Sequence, residues 1–515
     1  MEQETRRRGR AGGRGARQAA DSKSATRSLA YRQLRHPYEP QSIFGADEIN
    51  SIHKTALRVL EELGMKILLP EAREIFAKAG AKVVDEMVFI GSDIIDEALK
   101  TAPASFKLHA ANPEREQIYE TGALLFMAGA GCPNATDNER GRRPGDLQAF
   151  EETLKLQQAF DAIHLLGPSV EPQDVPIHLR HYAMTRAQLA YTDKPMFIYA
   201  RGRDQVFQSI EMIQTALELS DDDVAGQIWG WTNINSNSPR MLDNPMAQGI
   251  IDFARMGQLS VITPFCLAGA MAPITVSGAL TLQHAEALAG IALAQMANPG
   301  APVSYGGFSS NVDMKSGSPA FGTPEHVKMQ VGAGQLARHV GLPWRSASGA
   351  ASNTCDMQAA TETDMAIWGG LMGNATLMIH AAGWLEGGLS FGYEKFINDL
   401  ECIQSVAELA QPTSGSDAEI GFDALQEVDP GGHFFATAHT MARYQDAFYQ
   451  PLVADLNNFG SWEEAGSLTS TDRATQVWKQ TLSDFKAPAG CDERVARVED
   501  LISKGTEAGG AAPLD

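Results

Sequence analysis

Seven aromatic residues, Trp229, Trp231, Tyr305, Phe308, Trp384, Phe391 and Tyr393, fall in or just beyond short apolar runs, amid segments rich in Asn, Ser and Gly. An aromatic face can hold a cation that has no N–H to donate, such as a quaternary ammonium or a sulfonium. Asn and Ser add neutral hydrogen bonds, and glycine lets the backbone approach closely. Such a mixture recognises more than it protonates. The stretch 305-YGGFSSNVDM-314 gathers all of these types. Strand aromatics are also ordinary core, and Asn, Ser and Gly are ordinary turn formers. The loop members Trp384, Phe391 and Tyr393, in 383-GWLEGGLSFGYE-394, are the stronger candidates for binding because their surroundings are glycine-rich.

Other reactive types are sparse. Cys355, followed by Asp356, is a candidate nucleophile without an accompanying histidine signal. Asp313 and Glu386 can serve as acid–base groups, anchors or exposed ion-pair members. His164, His284, His326 and His380 form neither H-E-x-x-H nor a close Cys/His pair, so no metal site is expected. The five cysteines are scattered with no C-x-x-C, which reads as reduced thiols in a cytoplasmic protein. A net charge of -21 argues against nucleic acid as a partner. No run approaches the ~20 apolar residues of a membrane span.

Eight apolar runs supply strand candidates: 123–129, 163–169, 195–200, 227–233, 259–265, 302–308, 342–348 and 376–382. Amphipathic stretches such as 146–160, 178–191, 205–219, 276–297 and 325–340 alternate with them. Neither a G-x-G-x-x-G after an early strand nor a P-loop is present, which argues against an open doubly wound sheet. The pattern predicts an α/β protein, a (β/α)8 TIM barrel over 116–410. A helical N-terminal region at 41–115 and a C-terminal helical extension at 411–505, packed on the barrel, are expected around it. Residues 1–40 read as a disordered basic leader and 506–515 as a flexible tail. In such a barrel the carboxyl ends of all strands deliver their loops to one face, which places 131–137, 171–176, Arg201, 233–239, 269–274, 308–314, 349–356 and 383–394 around one pocket.

The blocks NPGAPVSYGGFSSNVDM and AGWLEGG, with DMQAATETDMAIWGGLMGNA between them, resemble the trimethylamine methyltransferase family over about residues 40–480. The likeness is to its branch lacking pyrrolysine, which includes glycine betaine methyltransferases. It implies a TIM barrel whose open end meets a separate corrinoid protein, where reduced cobalt takes a methyl group from a bound amine. No D-x-H-x-x-G signature is present, so the cobalamin is expected on that partner, with no cofactor tightly bound here. Trimethylamine-specific members use pyrrolysine, and none is written in this chain.

A quaternary ammonium that loses a methyl departs as a neutral tertiary amine and needs no proton, so position, desolvation and charge complementarity suffice. The expected activity is therefore demethylation of a small quaternary amine such as glycine betaine. A trimethylamine or sulfonium demethylase, or a betaine-binding barrel without turnover, are the alternatives. On this reading Asn311, Asp313 and Ser309 orient substrate or meet the corrinoid. Tyr305, Phe308, Trp384, Phe391, Trp229 and Trp231 surround the cationic head, and Arg201 and Glu386 complete the binding set, with Arg201 facing a substrate carboxylate. A homo-oligomer is compatible with the sequence.

Overall fold

The computed structural model describes residues 30–514. Its centre is a parallel barrel whose strands are Ala123–Phe126, Met196–Phe197, Gly230–Ile234, Leu259–Ile262, Val303–Gly306, Trp344–Ala347 and Leu377–Ile379, with residues 163–166 in second place. That second position is held by the parallel bridge Met127↔Leu165, with His164 N–H donating to Phe126 O (2.8 Å) and Leu166 N–H to Pro195 O (3.1 Å). The eighth strand closes on the first through Leu377↔Leu125 and Met378↔Phe126. All eight strand candidates thus lie in one closed TIM barrel.

Eight helices surround it: Leu147–Ala159, Arg180–Tyr191, Arg203–Leu217, Asn244–Arg255, Val276–Ala297, Pro324–His339, Met357–Gly373 and Tyr393–Leu409. Several begin where the sequence supplies a cap. Asp146, Asp243, Thr275, Thr323 and Asp356 each accept a backbone N–H from the first turn. Helix Val276–Ala297 is apolar on every side because N-terminal helices Ala46–Arg58 and Ser92–Thr101 cover its outer face.

The N-terminal region is not helices alone. Strands Met65–Ile67, Lys82–Val84 and Met87–Phe89 form a small sheet with Met241–Leu242. The hairpin Ser105–Leu108/Gln117–Glu120 plugs the lower end of the barrel, where Tyr119 OH lies 2.8 Å from Ser304 Oγ.

Two boundaries differ from the sequence reading. Residues 1–29 of the basic leader lie outside the described residues, but 30–40 are ordered. Leu34–Arg35 pairs antiparallel with Ala123–Leu124, and Tyr31 OH donates to the carbonyls of Arg115 (2.7 Å) and His164 (3.0 Å). Polar local composition hid a segment that is held by contacts distant in sequence. The tail is likewise anchored. Ala511 is buried, its N–H donating to His178 O (2.9 Å), and Leu514 N–H donates to Arg201 O (2.9 Å). C-terminal helices Ser470–Asp484 and Cys491–Glu507 pack on the barrel's outer helices. Among the described residues, no helix is long and apolar enough to cross a membrane.

Candidate active site

The barrel interior is filled by Leu125, Leu165, Leu259, Val261 and Leu377 below, with Tyr119 and Leu108 of the plug beneath them. Above that layer lies a cavity of about 440 Å³. Its lower wall carries Met127, Phe197, Trp231, Arg345 and Ile379, and its upper wall Phe265, Phe308, His380, Trp384 and the Gly387–Leu389 turn.

Arg345 is the unusual residue. It lies within the seventh strand, so a buried neighbour strand flanks it on each side, and it is 1% exposed. Its Nε and Nη1 have no hydrogen-bond partner, and it has no ion pair among the described residues. Burial pulls its pKa down to about 9, which leaves it cationic at neutral pH. The indole Nε1 of Trp231, on the same cavity wall, is also buried without a partner. A buried, unsatisfied guanidinium is costly unless an anion joins it. The lower part of the cavity is therefore a set of donors for a carboxylate-sized anion.

The upper part is an aromatic cup. Trp384 stacks on His380 at 4.4 Å between centroids and an angle of 16°, and Phe308 sits 5.6 Å from Trp384 and 5.4 Å from His380. Trp384 Nε1 donates to Ala130 O (3.3 Å), which fixes the indole. The glycines around it are obligatory. A Cβ on Gly349 would come within 2.1 Å of Trp384 Cε3, and one on Gly388 within 2.4 Å of Cζ2, and both glycines have positive φ. His380 itself has φ +59, and its Nδ1 accepts the Ala130 N–H (3.2 Å). The proton therefore resides on Nε2. Burial first, then the charge of Arg345, holds its pKa well below the usual histidine value, so the ring is neutral.

Four of the residues singled out from sequence line this cavity: Phe308, Trp384, Trp231 and Arg201. Arg201 is at the rim, ion-paired to Glu171 (2.9 Å) and lying over Tyr199, and is less available to a substrate than Arg345.

The others are placed elsewhere. Tyr305 faces outward to helix Val276–Ala297, its OH 2.9 Å from His284 Nδ1. Trp229 precedes the fourth strand at the lower end and packs on His109. Phe391 is paired with Trp384 in the hairpin register but packs its ring on Tyr393 and Phe396. Tyr393 donates to Glu152 Oε2 (2.6 Å). Glu386 is held by Arg142 (3.0 Å) and Ser390 (2.8 Å) beside the rim. Asn311 accepts from Thr323 Oγ1 (2.9 Å), Asp313 caps its own turn through Ser316, and Ser309 is buried beside Cys266. Cys355 lies outside the cavity, and burial raises its thiol pKa.

Sequence reasoning missed Arg345 and passed over His380. The signal for Arg345 was available, a single charge inside the apolar run 342-LPWRSAS-348.

A barrel with a small cationic-and-aromatic cavity at its carboxyl end defines an enzyme of the small-ligand (β/α)8 class. The trimethylamine methyltransferase family model matches residues 9–510, and the chain belongs to that family of methyltransferases. Similar proteins include the glycine betaine methyltransferase of Desulfitobacterium hafniense strain Y51, 34% identical over 91% of this chain and 98% of that one. The trimethylamine methyltransferase MttB of D. hafniense strain DSM 10664 / DCB-2 is 27% identical over 90% and 94%. The proline betaine:corrinoid methyltransferase of Eubacterium limosum is 28% identical over 86% and 93%.

Proposed function

We propose that this chain demethylates a small carboxylated quaternary amine, a betaine, and delivers the methyl group to a corrinoid carried by a partner protein in the cytoplasm. The barrel, residues 116–410, carries the site, with the flanking helices as its support. One observation carries the reading: an unpaired buried guanidinium shares a 440 Å³ cavity with an aromatic cup. Phe308 lies 5.4 Å from the Arg345 guanidinium and 5.6 Å from Trp384, so one short zwitterion can reach both. Its carboxylate takes Arg345 and the Trp231 N–H, and its onium head takes Trp384 and Phe308.

The cavity fits a small amine and is too small for a corrin macrocycle, so the acceptor has to stand at the opening. When presented there, the corrinoid supplies a cobalt(I) nucleophile. In the reaction the N–CH₃ bond breaks, its electron pair stays on nitrogen, and a neutral tertiary amine departs. The residues of this chain hold the substrate by both ends, exclude water and leave the methyl toward the mouth. No proton is moved, which accords with a neutral His380 and the lack of an acidic side chain among the described residues of the lining.

The test is purified protein mixed with free cob(I)alamin and a panel of glycine betaine, proline betaine, a carboxylated sulfonium and trimethylamine, followed by visible absorbance. Consumption of cob(I)alamin with a betaine and not with trimethylamine is expected. Reaction with trimethylamine alone, or binding of a betaine without turnover, overturns the reading.

A further inference from the structure

Helix Tyr393–Leu409 carries a lysine in its first turn and an aspartate one turn later, and both point inward: Lys395 is 1% exposed and Asp399 4%. Lys395 Nζ donates to Asp399 Oδ1 and, across to helix Met357–Gly373, to Thr363 Oγ1 (2.7 Å). A buried ion pair of this kind stabilises a fold no better than apolar side chains of similar volume. Its order along the helix is also the poorer one, because a helix favours acidic residues at its start and basic ones toward its end. Stability therefore does not account for the pair. The second carboxylate oxygen shows what does.

Asp399 Oδ2 accepts the Gly383 N–H (2.9 Å). Gly383 immediately precedes Trp384, has φ +88 and tolerates no side chain, since a Cβ there would meet Phe391 Cε2 at 2.5 Å. Its carbonyl accepts the Gly392 N–H (2.8 Å), and the carbonyl before it, on Ala382, accepts the Gly129 N–H (2.6 Å). Those two bonds join the turn to other strand ends, and Asp399 ties the same turn to the eighth helix.

We infer that Asp399 is a positioning residue for the onium end of the cavity: clamped by Lys395, its carboxylate fixes the Gly383 peptide and so sets where the Trp384 side chain starts. The Ala130 carbonyl fixes the far, Nε1 edge of the indole. With one point held on the backbone and one on the ring, the indole keeps its plane against His380, at 16°. Lys395 serves to hold the carboxylate, and Thr363 to hold the lysine. Removal of the aspartate would leave the buried Gly383 N–H without an acceptor, and removal of the lysine alone would leave a buried charge unpaired. This role rests on the reading of Trp384 as the partner of the onium head, and it adds a residue that does not line the cavity.

The experiment compares three forms of the full-length protein labelled with fluorotryptophan: wild type, Lys395→Met/Asp399→Asn, which keeps an acceptor for Gly383, and Lys395→Met/Asp399→Leu, which does not. Neither double variant leaves a buried charge unpaired, so melting temperatures at or above that of the wild type are expected. Without ligand, the fluorine NMR resonance of Trp384, assigned by its absence in Trp384→Phe, should stay in place in the Asn variant and move in the Leu variant. The second readout is affinity, by titration calorimetry, for glycine betaine against the tert-butylacetate anion, which has the same shape but an uncharged head. The wild type should prefer the betaine by roughly 10-fold or more, the Asn variant should keep most of that preference, and the Leu variant should bring it near unity. An unmoved resonance in the Leu variant overturns the inference. So does an Asn variant whose resonance is displaced, a result that decides the matter even if the Leu variant does not fold. A wild type that binds the two acids equally contradicts the onium cup itself, while the resonance still shows whether Asp399 holds Trp384.

Discussion

Arg345, in the seventh barrel strand, and Phe308, two residues beyond the sixth, meet with the guanidinium carbon 5.4 Å from the ring centroid, and among the described residues no carboxylate pairs with the charge. The contact joins the two halves of the cavity. The cation that would hold an acid touches the ring that would hold an onium.

Replacing Arg345 by Met removes the anion anchor. Losing a charge-assisted, desolvated contact costs about 2–4 kcal/mol of substrate binding, so KM for a betaine should rise roughly 30- to 1,000-fold. The same change removes a buried unpaired charge, and the melting temperature of the ligand-free protein should hold or increase. Steady-state kinetics and calorimetry read the two effects separately.

Arg201 provides the contrast. It is a third exposed and already paired with Glu171, which Arg180 also holds (2.9 Å). Arg201→Ala should alter betaine affinity by less than about 1 kcal/mol. A larger loss, seen by titration calorimetry, would transfer the anion-binding role to the rim.

Trp384→Leu should weaken onium binding by about 1–2 kcal/mol, the scale of a desolvated cation–π contact, with the barrel intact. Gly349→Ala reaches the same ring from behind. At φ +113, and with its new Cβ at 2.1 Å from the indole, it should both destabilise the fold by about 1–3 kcal/mol and displace Trp384. Tryptophan fluorescence of the ligand-free and betaine-bound variants would report that displacement.

Acid should unfold the protein in a definite window. Burial lowers the pKa of His36 and His326 to about 4 and that of His164 to about 3, and it places His284 and His380 well below their ordinary value. Below about pH 6.5 the unfolded chain binds protons that the folded chain refuses, so stability present at pH 7 is lost as the pH falls from 6.5 toward 4. Each such histidine adds up to about 1.4 kcal/mol per pH unit. Denaturant midpoints at pH 7, 6 and 5 should fall steadily, and His326→Gln should make the slope shallower.

The fold was legible because each barrel strand is an apolar run bounded by turn residues, and five of the eight outer helices carry their own side-chain cap. The small N-terminal sheet was not, since three-residue strands such as Met65–Ile67 take their partner, Met241–Leu242, from far along the chain. Residues 31–36 and 511–514 were hidden for the same reason. For the site, the sequence reading named four residues that line the cavity, Phe308, Trp384, Trp231 and Arg201, but could not set the parity of strands apolar on both faces. Tyr305 turns outward where Ser304 and Arg345 turn inward, so the conspicuous ring was assigned to the cavity and the arginine was overlooked. Asp313 and Asn311 were attractive as reactive types, yet Asp313 spends its hydrogen bonds on its own turn and Asn311 on Val312 O and the helix cap Thr323.

The most direct measurement is the ratio of methyl-transfer rates to cob(I)alamin from glycine betaine and from tetramethylammonium, taken for wild type and Arg345→Met. The wild type should favour the carboxylated donor by roughly 30-fold or more, and the substitution should bring the ratio near unity. Equal rates in the wild type, or a preference that survives loss of the guanidinium, would contradict a site that grips its substrate by both charges.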